Sequence, residues 1–313
     1  MKLYTSVHLR NDMGSISSKL SSIRTGKRFW AALFFPPVLL SSLMYGLHWA
    51  ERALTFDPTP YIPGDAWVMP RGGEEVSFLN RRGLRLNGWF VSSESQPAPA
   101  TIIYFHGKSG NISGSAWLAE KLALRGFNVL LFDYCGYGKS EGQIADERDL
   151  YADADAAYEY VVDERGIAPE RVVLYGHSLG TAAAADLASR RRCGALILES
   201  GLSSASEMAS AMLPWLPAML HALGQNRLES AKKLARVQCP VFITHGEPDA
   251  IVPTKHAYAL FAASREPKRL MILPGAEHNV SGFGGDRYFN ELAGFVRDSL
   301  LSDEGSSLKP HAE

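Results

Sequence analysis

Cysteine is scarce in this chain. Its 313 residues hold three, Cys135, Cys193 and Cys239, far apart and odd in number. No C-x-x-C and no Cys/His ligand spacing accompanies them, which argues against a disulfide framework and against a zinc site. Cys193 and Cys239 lie beside strand-like runs and read as small core residues. An excess of one charge is also missing. The formal net charge is −1 at pH 7, without the clustered basic surface that nucleic acid requires. No internal repeat points to a solenoid, and no metal, flavin or nucleotide motif is visible, so no cofactor is expected. What is left is a globular composition, 46% hydrophobic and 21% charged. The length suits one large α/β domain with extensions and is short for two.

One stretch lacks charge altogether, between Arg28 and Glu51. Before it, residues 1–28 carry Lys2, Arg10, Lys19, Arg24, Lys27 and Arg28 against the single acid Asp12 and read as a flexible basic tail. As a helix, Phe29 to Ala50 would extend about 33 Å, against about 30 Å of bilayer hydrocarbon. Residues 29–50 are therefore expected to be a single transmembrane anchor, with Trp30, Tyr45 and Trp49 at the interfaces. The basic cluster would keep the amino terminus cytoplasmic and place the rest of the chain on the other side, in the periplasm if bacterial. Pro36-Pro37 should kink such a helix. A cleaved signal peptide and an interfacial or cap helix are the alternatives, the first disfavoured by a long run with no small-x-small site after it.

Residues 51–73, rich in proline and glycine from Thr55 on, read as an extended linker, followed by a domain over residues 74–301. Glu74–Leu79 and Leu84–Val91 alternate apolar and polar residues around Asn80-Arg81-Arg82-Gly83, a hairpin signal. From Thr101 the rhythm becomes continuous apolar strands between helical stretches, the pattern of a parallel sheet covered on both faces. The expected strands are Thr101–Phe105, Asn128–Phe132, Val172–Tyr175, Ala195–Leu198, Val241–Thr244 and Arg269–Leu273. Helices are expected at Ser115–Arg125, Glu147–Arg165, Leu179–Arg191, Thr254–Ser264 and Arg287–Leu301. A hairpin leading into a doubly wound, mostly parallel sheet is the plan of an α/β-hydrolase. Residues 201–235 sit where such folds carry a small helical lid. Its apolar residues, among them Met208, Met212, Trp215 and Leu216, mostly pack it down, with a few left to favour an acyl group. Residues 302–313 read as a disordered polar tail.

The chemistry centres on Gly176-His177-Ser178-Leu179-Gly180, between the run Val172-Val173-Leu174-Tyr175 and an alanine-rich helix former. A serine at the turn from strand to helix is the nucleophile elbow in its required context. Glycine is needed at the flanks because side chains there would strike the neighbouring strand and helix. A serine hydroxyl needs a base to take its proton, and the base needs a group to orient it. In this plan the partners follow in the order Ser, acid, His, each after a strand. Asp249 follows Val241–Thr244 and His278 follows Arg269–Leu273, so both fall on the rim that holds Ser178. His245, His256 and His221 are rival bases, and Glu247 and Glu199 rival acids, with Glu199 the serious one because it closes a strand. An oxyanion needs two preorganised donors. The expected pair is the backbone N–H of Leu179 and that of Lys108, in the loop His106-Gly107-Lys108-Ser109-Gly110-Asn111. The Lys108 side chain reads as a solvated charge, while His106, Gly107, His177, Gly176 and Gly180 are supporting residues.

These motifs, with Asp133–Gly142 (DYCGYGKSEG), Leu213-Pro214-Trp215-Leu216-Pro217 and His245–Pro253 (HG-x-x-D-x-x-VP), resemble the membrane-anchored branch of α/β-hydrolase-fold serine hydrolases. These are described as serine-aminopeptidase-like or abhydrolase-domain proteins, and the resemblance covers about Val76 to Leu300. It implies Ser178, Asp249 and His278 as the triad and an N-terminal membrane segment. Two positions depart from the family pattern: Cys135 replaces the usual arginine, and Lys108 the usual asparagine. Both are expected near the mouth of the site, so substrate preference does not carry over.

The expected function is a membrane-anchored serine hydrolase that cleaves carboxylic esters or thioesters of a small-molecule or lipid-like acyl substrate through an acyl-enzyme. A serine peptidase is the alternative within the class, and a non-catalytic binding protein the alternative outside it. The oligomeric state is not legible.

Overall fold

Runs of branched and aromatic side chains that shed water from both faces form the centre of the chain, and the sheet they build sets where everything else lies. The computed structural model describes residues 37–212, 214–215 and 224–307. Glu51–Glu313 forms a compact unit distinct from the chain before it.

Helix α1 covers residues 37–55. It is followed by the two-residue strand β1 (Asp57–Pro58), the hairpin β2 (Gly73–Leu79) and β3 (Arg85–Val91), and β4 (Thr101–Phe105). Then come β5 (Ser109–Gly110), α2 (Ala116–Ala123), β6 (Asn128–Phe132), α3 (Glu147–Glu159), β7 (Val172–His177) and α4 (Gly180–Ala188). The remainder is β8 (Ala195–Glu199), α5 (Ala205–Met212), α6 (Ser230–Leu234), β9 (Val241–Gly246), α7 (Lys255–Ala263), β10 (Lys268–Leu273) and α8 (Val280–Ser307). Eight strands form one sheet in the order β10-β9-β8-β7-β4-β6-β3-β2. It is parallel from β10 to β6, and the hairpin joins antiparallel. This is the α/β-hydrolase fold.

Alternation along each strand feeds two cores. Ile103, Phe105, Leu174, Leu196 and Ile243 pack on one face, and Ile102, Tyr104, Val173, Tyr175, Ile197 and Phe242 on the other. Strand β4 lies between β6 and β7, its successors on opposite sides. The chain therefore leaves β4 in one direction and returns in the other, and a crevice opens beyond the carboxyl ends of β4 and β7.

Three expectations change. The anchor at residues 29–50 and the location built on it are not supported. Among the described residues no helix is long and apolar enough to cross a membrane. Residues 29–36 lie outside the described residues, and the described part of α1 runs from Pro37. Secondly, the segment expected to be an extended linker is packed onto the domain. Phe56 is buried, β1 pairs in parallel with β5, and Trp67 packs edge-on against Trp89 at 5.1 Å between ring centroids. Lastly, α8 starts at Val280, breaks at Gly285 (φ 52°) and runs to Ser307. Its glycine-rich first turns hid it in the sequence, and it extends into the expected polar tail, of which residues 308–313 lie outside the described residues.

Candidate active site

Strand β7 turns into helix α4 through Ser178, whose φ of 53° lies in the left-handed region. For a non-glycine residue this costs on the order of 1–2 kcal/mol, and the surroundings hold it there. The Ser178 N–H donates to Glu199 O at 2.9 Å, and the Thr181 hydroxyl donates to Ser178 O at 2.6 Å. The flanking glycines are sterically required. A Cβ on Gly176 would lie 2.5 Å from Gly180 O and 2.6 Å from Thr181 Cα, and one on Gly180 would collide with the Phe105 carbonyl.

Three predicted residues meet at this turn. His278 Nε2 lies 2.9 Å from Ser178 Oγ, and His278 Nδ1 lies 2.8 Å from Asp249 Oδ2. Asp249 follows β9 and is buried. Burial raises its pKa, but hydrogen bonds from His245, His278 and the Val252 N–H outweigh that and hold it well below the usual carboxylate range. Its second oxygen accepts from the N–H groups of Ile251 and Val252, each at 2.9 Å. His245 is buried behind it, with Nε2 2.7 Å from Val252 O and 3.3 Å from Asp249 Oδ2. It therefore supports the acid and stands apart from the serine.

The loop carrying His278 is held by Ser200, which the sequence pattern did not single out, together with His177 and Glu199. Ser200, with φ 50°, donates its hydroxyl to His278 O at 2.7 Å. His177 Nε2 reaches the same carbonyl at 3.3 Å. Glu199, weighed above as a rival acid, faces elsewhere. It accepts from the Ser281 N–H at 2.7 Å and from the Tyr175 hydroxyl, which in turn meets Tyr288 at 2.9 Å. Burial first, and then the Glu199 charge, push both tyrosines far above their ordinary range. The carboxylate thus anchors the start of α8, just beyond His278. A strand-ending residue was the only available signal for it.

The loop after β4 runs past the elbow. A Cβ on Gly107 would lie 3.3 Å from His177 Nδ1 and 3.4 Å from Ser178 Cβ. Leu179 caps α4, where helix N–H groups lack intrahelical partners. Lys108 is not a free charge, since its Nζ donates to Leu54 O at 2.9 Å, in the last turn of α1. Its own carbonyl accepts from the Asp57 N–H at 3.1 Å and the Tyr137 hydroxyl at 2.7 Å. His106 is buried, with Nδ1 2.8 Å from Gly107 O and its ring 4.4 Å from that of Tyr134. Burial lowers its pKa to about 4. Its Nε2 lies 3.5 Å from Asp133 Oδ1, and burial raises Asp133 to about 8 despite the Ile112 N–H it accepts. Burial thus disfavours the charged form of both members of the His–Asp pair beneath this loop.

The remaining candidates fall outside the cluster. His256 is buried, with Nδ1 2.7 Å from Ser203 Oγ. Glu247 is exposed, and His221 lies outside the described residues. Cys135 is also away from the mouth. It is buried, with its sulfur 3.2 Å from Asn80 Nδ2 and 3.3 Å from Asp153 Oδ1. Within the segment 201–235, Met208 packs on the core, whereas Met212 and Trp215 are exposed. Leu213 and residues 216–223 are outside the described residues. Among the described residues no group of three His, Cys, Asp or Glu is placed to hold a metal ion.

Comparison with known proteins agrees with the fold. Residues 96–232 match the family described as serine aminopeptidase, S33. An uncharacterized protein of Mycobacterium tuberculosis is 35% identical across 77% of this chain and 85% of its own length. Uncharacterized protein YfhR of Escherichia coli K12 is 34% identical across 77% and 87%. Alpha/beta hydrolase domain-containing protein 17B of Xenopus tropicalis is 32% identical across 72% and 76%. Among solved structures, an esterase of Pyrococcus furiosus superposes with a TM-score of 0.62 at 18% identity, covering 78% of this chain and 98% of that one. The esterase domain of a Rhodothermus marinus protein gives 0.55 at 23%, covering 72% and 99%.

Proposed function

The chain belongs to the α/β-hydrolase family, and from that premise we propose that it is a serine hydrolase cleaving carboxylic ester or thioester bonds through an acyl-enzyme on Ser178. The observation that carries this reading is the continuous contact from Ser178 Oγ to His278 Nε2, 2.9 Å, and from His278 Nδ1 to Asp249 Oδ2, 2.8 Å.

His278 takes the hydroxyl proton as Ser178 Oγ attacks the acyl carbon, and Asp249 holds the imidazole tautomer and steadies the imidazolium. The carbonyl oxygen, now negative, is received by the N–H groups of Leu179 and Lys108. When the tetrahedral species collapses, His278 returns the proton to the leaving alcohol or thiol. Water then enters and is deprotonated by the same imidazole, and its attack releases the acid and restores Ser178.

A peptidase reading is favoured by one observation, the serine aminopeptidase family that residues 96–232 match, since the same triad cleaves amides. Labelling by a fluorophosphonate probe tests the shared step: wild type should label, and Ser178→Ala and His278→Ala should not. A folded wild type that fails to label would sink the proposal. Turnover of p-nitrophenyl esters set beside aminoacyl p-nitroanilides then separates the two substrates.

A further inference from the structure

Cys193 and Cys239 are separated by 46 positions in sequence, yet their sulfur atoms lie 3.1 Å apart. They precede the amino ends of β8 and β9, adjacent parallel strands in which Leu196 is paired with Val241. A hydrogen bond from the Leu196 N–H to Pro240 O, 2.9 Å, ties the two entry segments together. Closing the gap to the ~2.05 Å of a disulfide needs about 1 Å of sulfur movement. Cys193 is buried while Cys239 is half-buried, so a solute reaches Cys239 first. The contact with Cys239, with burial added, also pushes the Cys193 thiol well above the ordinary thiol range, which leaves Cys193 as the second, resolving thiol. Cys135 is buried elsewhere, against Asn80 and Asp153.

We propose that Cys193 and Cys239 are an oxidation site that forms an intramolecular disulfide with a low-molecular-weight disulfide as oxidant. Cys239, as thiolate, attacks one sulfur of the oxidant. That forms a mixed disulfide and expels one thiolate, which takes up the proton Cys239 gave to solvent. Cys193 loses its proton and attacks Cys239 Sγ, forming the Cys193–Cys239 bond and expelling the second thiolate, which is protonated in turn. Two protein thiols are oxidised by two electrons, and one small disulfide is reduced to two thiols. The cross-link closes a loop containing β8, α5 and α6, at the amino ends of β8 and β9, whereas Ser178 follows the carboxyl end of β7. It therefore restricts the unfolded chain and leaves the reacting groups in place.

The test equilibrates the full-length protein with oxidised glutathione, denatures it, and titrates thiols with a chromogenic disulfide, alongside peptide mapping by mass spectrometry. One thiol should titrate after oxidation and all three after reduction, with a Cys193–Cys239 peptide about 2 mass units lighter than the reduced pair. The oxidised form should melt on the order of 10 °C higher and label with fluorophosphonate as the reduced form does. Cys193→Ala and Cys239→Ala should each abolish the melting difference. Three thiols after oxidation, a stable glutathione adduct on Cys239 with Cys193 free, or a bond mapped to Cys135 would each overturn the proposal. The thiol titration and the peptide map are chemical and made on wild type, so their outcome is independent of the hydrolase reading.

Discussion

At Ser178, His278 and Asp249, each side chain is aimed by a neighbour that does no chemistry. Replacing Asp249 by Asn keeps the shape but favours the wrong tautomer of His278, so kcat should fall by about 10⁴-fold, and Ser178→Ala should cost on the order of 10⁶. Ser200 permits a subtler measurement. Ser200→Gly removes the hydroxyl that holds His278 O but relieves a positive φ. Its thermal stability should stay close to wild type while kcat drops several-fold with KM little changed, since one hydrogen bond is worth about 0.5–1.5 kcal/mol. Asp133 gives a pH signature. Burial raises its folded pKa to about 8, well above the ordinary carboxylate range, so folding takes up a proton between the two. The unfolded state binds fewer protons there, and Asp133 makes stability fall as pH rises through that window, by up to about 1.4 kcal/mol per unit. Asp133→Asn should remove this downward contribution, so that between pH 4 and 8 its stability relative to wild type rises with pH in denaturant titrations. Ser178, His278 and Asp249 were legible because strand-end motifs betray them. Ser200, Glu199 and the role of Asp133 were not, because their partners are remote in sequence and no local pattern marks a buried carboxylate.

The strand–turn–helix element around Ser178 has no room to adapt. Gly176→Ala pushes a methyl into the Gly180 carbonyl and should destabilise by at least about 1–3 kcal/mol, seen as a lower denaturation midpoint with an unchanged m-value. The β4 loop is tethered differently. Lys108→Ala frees the Leu54 carbonyl while leaving its own backbone N–H, so a partial loss of kcat rather than abolition should follow in ester assays. Periodicity located these elements to within a few residues, since alternation and apolar runs are local properties. The start of α8 was missed because Gly282, Gly284 and Gly285 read as loop, and tertiary packing overrode that propensity.

The sheet joins pieces of chain that sequence order keeps apart, and the segment before the hairpin belongs to that assembly. A chain begun at Glu51 should keep a single cooperative melt within a few degrees of the full-length protein. One begun at Gly73 loses Phe56, Trp67 and the β1–β5 pairing and should melt markedly lower by circular dichroism. By itself the sequence determined the fold class, the strand and helix succession and the three side chains proposed to react, because these follow from hydrophobic period, turn chemistry and motif order. Only the tertiary structure decided that β4 lies beside β7, so that Gly107 comes up against Ser178. It also decided that no helix among the described residues is long and apolar enough to cross a membrane, that Glu199 serves α8 rather than His278, and that Cys193 meets Cys239. Each depends on which strands become neighbours and where an element ends, and that is settled by burying the whole sheet at once.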